Sequence, residues 1–223
     1  MKTAFLFPGQ GSQYVGMGKA LSEQFPVAAR LFEEANEALG YDLRKICFEG
    51  PEADLTLTQN TQPAILIVSI AAHAVFTAER GIKADVVAGH SLGEYSALVA
   101  AGALRFADAV RCVHYRGKFM QEAVPSGQGA MAALMGGTNE TTDELCQDAV
   151  KAAGGVCETA NFNGGGQVVI SGSKAAVEKA VALASERKEL GIRRAVMLSV
   201  SAPFHSSLMK PAADKLWPFL EKM

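Results

Sequence analysis

Cysteine is scarce in this chain. Four stand among 223 residues, Cys47, Cys112, Cys146 and Cys157, with no C-x-x-C spacing. That scatter excludes a zinc site or a disulfide framework and leaves reduced thiols as the expectation. Positive charge is not in excess either: Lys plus Arg number 21 against 23 Asp plus Glu. Without a basic stripe the chain lacks the electrostatic footprint of a nucleic-acid binder. Long hydrophobic runs are also missing. The longest, residues 64–76, is too short for a bilayer and is interrupted by Ser69 and His73. Lys2 is followed by only a few apolar residues before Pro8-Gly9, too few for a signal peptide. No repeats or low-complexity segments occur. These absences predict a cytoplasmic protein with no nucleic-acid, membrane or metal partner.

What is present is apolar: 49% of the residues, enough for one large core or two unequal ones. Residues 3–7 read as a buried strand closed by the turn Pro8-Gly9-Gln10-Gly11. Helical spacing follows over 31–39, and Thr61-Gln62-Pro63 marks the entry to a long apolar helix reaching Arg80-Gly81. A strand is predicted over 85–88, with helices over 92–101 and 106–124. Strands alternating with helices predict an α/β fold, α/β-hydrolase-like, with a mainly parallel sheet covered by helices on both faces. Beyond Gly127 the pattern tightens. Strands over 130–135, 157–161, 167–171 and 194–200 are separated by helices over 141–153, with a Thr141/Glu144 capping box, and 174–190. The order β-α-β-β-α-β predicts a ferredoxin-like small domain at 127–199, inserted in a large catalytic domain of residues 1–126 and 200–223.

Gly89-His90-Ser91-Leu92-Gly93 lies between predicted strand and helix, as a nucleophile elbow requires. A turn sharp enough to push Ser91 outward needs neighbours without Cβ. The Leu92 N–H, at the start of the following helix, is free of an intrahelical partner and faces a developing oxyanion. His90 is badly placed as the base for Ser91, because adjacent residues at a strand end point apart. His73 and His114 lie on helices among core and surface neighbours. His205 follows a strand through Ser-Ala-Pro-Phe, at a strand-to-helix junction where α/β sites assemble, and is the candidate general base. Arg116 shares a helix face with Cys112, Val113, Phe119 and Met120. A cation there requires an anion, from an internal carboxylate or from a ligand, or else must snorkel outward. The loop at Pro8 fails as a dinucleotide or P-loop, because Tyr14 stands at the third glycine position and no Lys-[Ser/Thr] follows. Its remaining use is to aim the Gln10 N–H at an oxyanion.

Five motifs, Phe7-Pro8-Gly9-Gln10-Gly11-Ser12-Gln13, Thr61-Gln62-Pro63-Ala64, Gly89-His90-Ser91-Leu92-Gly93-Glu94, Tyr115-Arg116-Gly117 and Ala202-Pro203-Phe204-His205-Ser206, occur in one order. Together they resemble the malonyl-CoA:acyl carrier protein transacylases over the whole chain. The resemblance implies a ping-pong transfer of malonyl from malonyl-CoA to the phosphopantetheine thiol of acyl carrier protein through a malonyl-serine. It implies Ser91 as nucleophile, His205 as base, Gln10 and Leu92 N–H groups as oxyanion hole, and Arg116 as the ligand of the malonyl carboxylate. His90 would line the pocket, and Phe204 would disfavour an α-methyl group. No cofactor is implied, coenzyme A thioester being a substrate. Members of the family continue past the final helix with further sheet and helix, whose main-chain carbonyl orients the active histidine; a chain without it is expected to expose apolar surface. Two other readings stay open. One is a serine esterase or thioesterase, which needs an acidic partner for the histidine; the other is an inactive truncated fragment acting as a carrier-protein-binding module.

Overall fold

The computed structural model describes residues 2–125, 127–198, 200 and 202–223. Ser126, Ser199 and Ser201, where the expected domain boundary, the end of the last strand and the start of the Ser-Ala-Pro-Phe-His run fall, lie outside the described residues. The chain forms two compact units, Met1–Lys118 with Leu216–Met223, and Phe119–Lys215.

The first unit holds strands β1 (Ala4–Phe7) and β2 (Val86–Gly89). Its helices are α1 (Lys19–Gln24), α2 (Pro26–Leu39), α3 (Leu43–Glu49), α4 (Glu52–Thr56), α5 (Thr58–Arg80), α6 (Gly93–Ala100) and the first part of α7 (Phe106–Ala123). β1 and β2 pair in parallel with Phe7 opposite Gly89, so both chains leave the sheet at the same edge. The two expected strands pair in parallel, and among the described residues this sheet has two strands; the expectation of cover on both faces is corrected, because one face stays exposed. Alternation divides their faces. Phe5 and Phe7 turn inward, edge-on to His73 of α5 at 5.5 and 6.1 Å. Leu6 and Val86 turn outward and are 77% and 59% exposed. A cavity of about 470 Å³ opens beside β1 between Leu6, Phe7, Val68 and Phe76.

α5 begins at Thr58, a turn before the expected Thr61-Gln62-Pro63 entry, and keeps Pro63 inside the helix. Proline has no N–H for the Gln59 carbonyl four residues back. His114 of α7 supplies the missing donor, its Nδ1 standing 3.0 Å from that oxygen. With 23 residues α5 is long and apolar enough to cross a membrane by length and composition alone. More than half of its apolar window is nevertheless buried inside the protein. Its first turns carry the buried polar side chains of Thr58, Asn60, Thr61 and Gln62. Leu66 and Ile67 pack with Phe32, Leu43, Leu55, Val110 and Val113 as the core of this unit.

The second unit contains β3 (Gly129–Gly136), α8 (Asn139–Ala153), β4 (Cys157–Gly164), β5 (Gln167–Ser173), α9 (Lys174–Glu186), β6 (Ile192–Met197) and most of α10 (Lys210–Leu220). Its sheet has the order β4-β5-β3-β6 with every neighbouring pair antiparallel. Ala132, Leu134 and Ile170 on one face pack on Leu145 and Ala149 of α8 and Val177 and Ala180 of α9. Met131 and Val169 on the other pack with Met120, Val124, Phe204 and Met209. The capping box of α8 joins Thr138 and Thr141, not Thr141 and Glu144. Glu144 pairs instead with Arg187, at the point where α9 stops short of the expected Leu190 and gives way to a 3-10 turn.

Candidate active site

Ser91 stands between the end of β2 and the start of α6 with φ of 52°. Its flanking glycines are fixed by contact: a Cβ on Gly89 would lie 1.9 Å from the Gly93 carbonyl carbon, and one on Gly93 would lie 2.2 Å from the Phe7 oxygen. The elbow therefore presses against the end of β1, and only side-chain-free residues permit it. Among the described residues two non-glycine residues have positive φ, Ser91 and His205, the latter at 59°. Such backbone costs about 1–3 kcal/mol at each position and clusters at functional sites.

Around Ser91 the described hydrogen bonds of the elbow begin with Gly93 N–H to the His90 carbonyl at 2.9 Å and Glu94 N–H to the Ser91 carbonyl at 3.2 Å. The Leu92 N–H stands ahead of both, at the positive end of α6. The loop carrying Gln10 leaves β1 alongside it, close enough that a Cβ on Gly9 would meet the His90 oxygen at 2.5 Å. The Gln10 side chain reaches Thr58 Oγ1 at 3.4 Å. His90 is exposed beside this loop.

Arg116 reaches the same point from α7. One guanidinium nitrogen, Nη2, donates to Ser91 Oγ at 3.1 Å, and the other, Nη1, donates to Gln62 Oε1 at 2.7 Å. Its carbon lies 5.7 Å from the Tyr95 ring centre. Burial lowers its pKa, opposed by the fields of Tyr95, Cys112 and Glu94. No carboxylate lies within ion-pair distance of it among the described residues. Of the three outcomes open for this cation, the internal ion pair is therefore excluded for the described residues, and its head groups point at a serine instead of at water. Sequence reasoning gave no role to Tyr95 and missed Gln62. It is 1% exposed, and its role rests on a partner 54 positions away.

The remaining residues of interest lie in the second unit. Phe204 is buried with Ala202 and Met209, and His205 is exposed at the end of that anchored segment. The other two histidines serve packing. His73 meets Phe5 and Phe7, His114 meets Gln59, and burial lowers both pKa values. All four cysteines are free and buried, and burial pushes the Cys47 thiol up to about 12 and the Cys112 thiol to about 11. Those two remain protonated near neutral pH and do not compete with the serine as nucleophiles.

Comparison with known proteins places this geometry in context. Residues 4–223 match the family described as the acyl transferase domain. The malonyl CoA-acyl carrier protein transacylase of Bacillus subtilis (strain 168) is 56% identical over 99% of this chain and 68% of its own length. The protein of the same name from Escherichia coli (strain K12) is 51% identical over 99% and 70%. Among solved structures, the transacylase of Coxiella burnetii superposes with a TM-score of 0.94 at 45% identity, over 100% of this chain and 69% of that one. A malonyl-transacylase solved in complex with its type II PKS acyl-carrier protein gives a TM-score of 0.92 at 48% identity, over 100% and 71%. With the match running over nearly the whole chain and the elbow, arginine and histidine motifs all present, the chain belongs to the acyl transferase domain family.

Proposed function

We propose that the protein transfers a malonyl group from malonyl-CoA to the phosphopantetheine thiol of an acyl carrier protein. The observation that carries this reading is the Arg116 guanidinium 3.1 Å from Ser91 Oγ, with no carboxylate partner among the described residues. An acyl group on Ser91 that ends in a free carboxylate supplies the missing anion, and planar bidentate capture of a carboxylate is what arginine does best. In the proposed sequence, Ser91 Oγ attacks the thioester carbonyl as His205 takes its proton. The Leu92 and Gln10 N–H groups stabilise the oxyanion, and collapse expels the coenzyme A thiolate, which His205 protonates. The carrier thiol then gives its proton to His205 and attacks the serine ester; collapse returns the proton to Ser91 Oγ. Both steps need only acid–base exchange, so no cofactor is invoked.

Several finer assignments go with this reading. Phe204 disfavours an α-methyl on the acyl group, and His90 lines the pocket. The β3-α8-β4-β5-α9-β6 order with its antiparallel β4-β5-β3-β6 sheet supports a ferredoxin-like small domain at 127–199 within a catalytic domain of residues 1–126 and 200–223. A cytoplasmic setting fits the reduced cysteines. The test is acceptor use. Given malonyl-CoA and a holo carrier protein, the protein is expected to place malonyl on the carrier thiol. Release of malonate to water with no carrier product would overturn transfer in favour of hydrolysis.

A further inference from the structure

His205 holds a left-handed backbone that a residue with a Cβ adopts only when its surroundings impose it. Upstream the imposition is packing. Ala202 and Phe204 are 1% and 7% exposed. Pro203 lies so close over Gly129 that a Cβ there would sit 2.2 Å from its ring. Downstream the chain enters a short 3-10 turn, Ser207–Met209, and the Ser206 hydroxyl donates back to the Pro203 carbonyl at 2.8 Å. The next group is different in kind. The Ser207 N–H donates to Glu158 Oε2 at 2.6 Å, across 49 residues of sequence. Glu158 belongs to β4, where it lies opposite Ser171 of β5. A strand in a sheet is a rigid base for such a tether, and a charged acceptor makes the bond one of the strong ones.

We propose that Glu158 is a positioning residue for His205: its carboxylate fixes the backbone two residues past the imidazole and so holds the strained turn that presents it. The proposal rests on the reading of His205 as the general base. Catalysis is steeply sensitive to small displacements of an acid–base group, whereas a merely structural tether would affect every property alike.

The experiment measures the single-turnover rate of Ser91 malonylation by intact mass, with folding checked by urea denaturation. Glu158→Ala is expected to slow malonylation about tenfold at unchanged KM for malonyl-CoA. Glu158→Gln, which keeps a carbonyl acceptor, should return the rate to within about twofold of wild type. Ser207→Pro removes the donor at a first-turn position that accepts proline, and should reproduce the Glu158→Ala loss without touching β4. In a His205→Ala background Glu158→Ala should add nothing, because there is no imidazole left to position. A wild-type rate in Glu158→Ala, or the same tenfold loss in the His205→Ala background, overturns the proposal. If His205→Ala itself reacts at the wild-type rate, the base reading falls and this proposal falls with it. A slow His205→Ala beside a wild-type Glu158→Ala removes the positioning role alone.

Discussion

Arg116 donates to two neutral oxygens, Gln62 Oε1 and Ser91 Oγ, while burial lowers its pKa. A cation so placed stabilises an anion brought to Ser91 far more than it stabilises a neutral acyl group. Arg116→Ala is therefore expected to reduce malonyl transfer by about 1.5–3 kcal/mol of transition-state binding, roughly 10- to 150-fold, and to leave acetyl transfer much less affected. Parallel kcat/KM measurements with malonyl-CoA and acetyl-CoA decide it; equal losses would make the arginine structural. The sequence carried this residue well, because four apolar neighbours on its helix face already demanded a partner for the charge. It did not carry Gln62, whose neighbours are themselves buried polar side chains and whose partner lies on another helix. Nor did it carry Glu158, a strand residue whose partner is a backbone N–H in a distant loop.

At the scale of elements, the first turns of α5 show how a local defect is repaired by tertiary structure. Pro63 leaves the Gln59 carbonyl without its helical donor, and the His114 imidazole replaces it. Removing that bond by His114→Ala should cost about 1 kcal/mol in urea unfolding at neutral pH. His114→Asn, whose amide nitrogen occupies nearly the same place as Nδ1, should recover most of it. The titration has a definite sign. Burial holds the folded-state pKa of His114 below its ordinary value, so the unfolded chain takes up the proton first. Stability is thus full above about pH 6.5 and declines as pH falls through the folded pKa, a decline that His114→Asn should flatten. Unfolding midpoints compared at neutral and mildly acid pH measure it; a wild type that gains stability on acidification would contradict the assignment.

Element positions were largely legible, for reasons specific to each. β1 is an apolar run stopped by Pro8-Gly9, and Gly40 and Gly81 end α2 and α5 in left-handed caps as their sequences suggest. α5 starts earlier than Pro63 implied because His114 removes the penalty that proline imposes. α3 went unread although Asp42 caps it, its side chain accepting from the Lys45 N–H at 3.0 Å. The segment is too short for a helical period to show. The capping box of α8 was misread by one turn because Thr138 and Thr141 are both competent caps, and only the Glu144 pairing with Arg187 breaks the tie.

At the scale of the molecule, what was least legible is how the faces of the first unit's sheet are covered. Apolar strands such as Thr3 to Phe7 read as buried on both faces, yet β1 and β2 leave Leu6 and Val86 in solvent. The chain spans 68–70% of the length of these curated relatives. A contiguous bare face of this kind binds apolar dyes. The 223-residue chain is expected to enhance anilinonaphthalene sulfonate fluorescence at neutral pH, and Leu6→Thr combined with Val86→Thr should lower the signal. Unchanged fluorescence in that pair would place the dye elsewhere.

The most direct test of the account is the intact mass of the folded protein after incubation with malonyl-CoA. A single malonyl increment on the wild type, absent from Ser91→Ala, is predicted. An unmodified wild-type protein, or an adduct that persists when Ser91 is replaced, would contradict it.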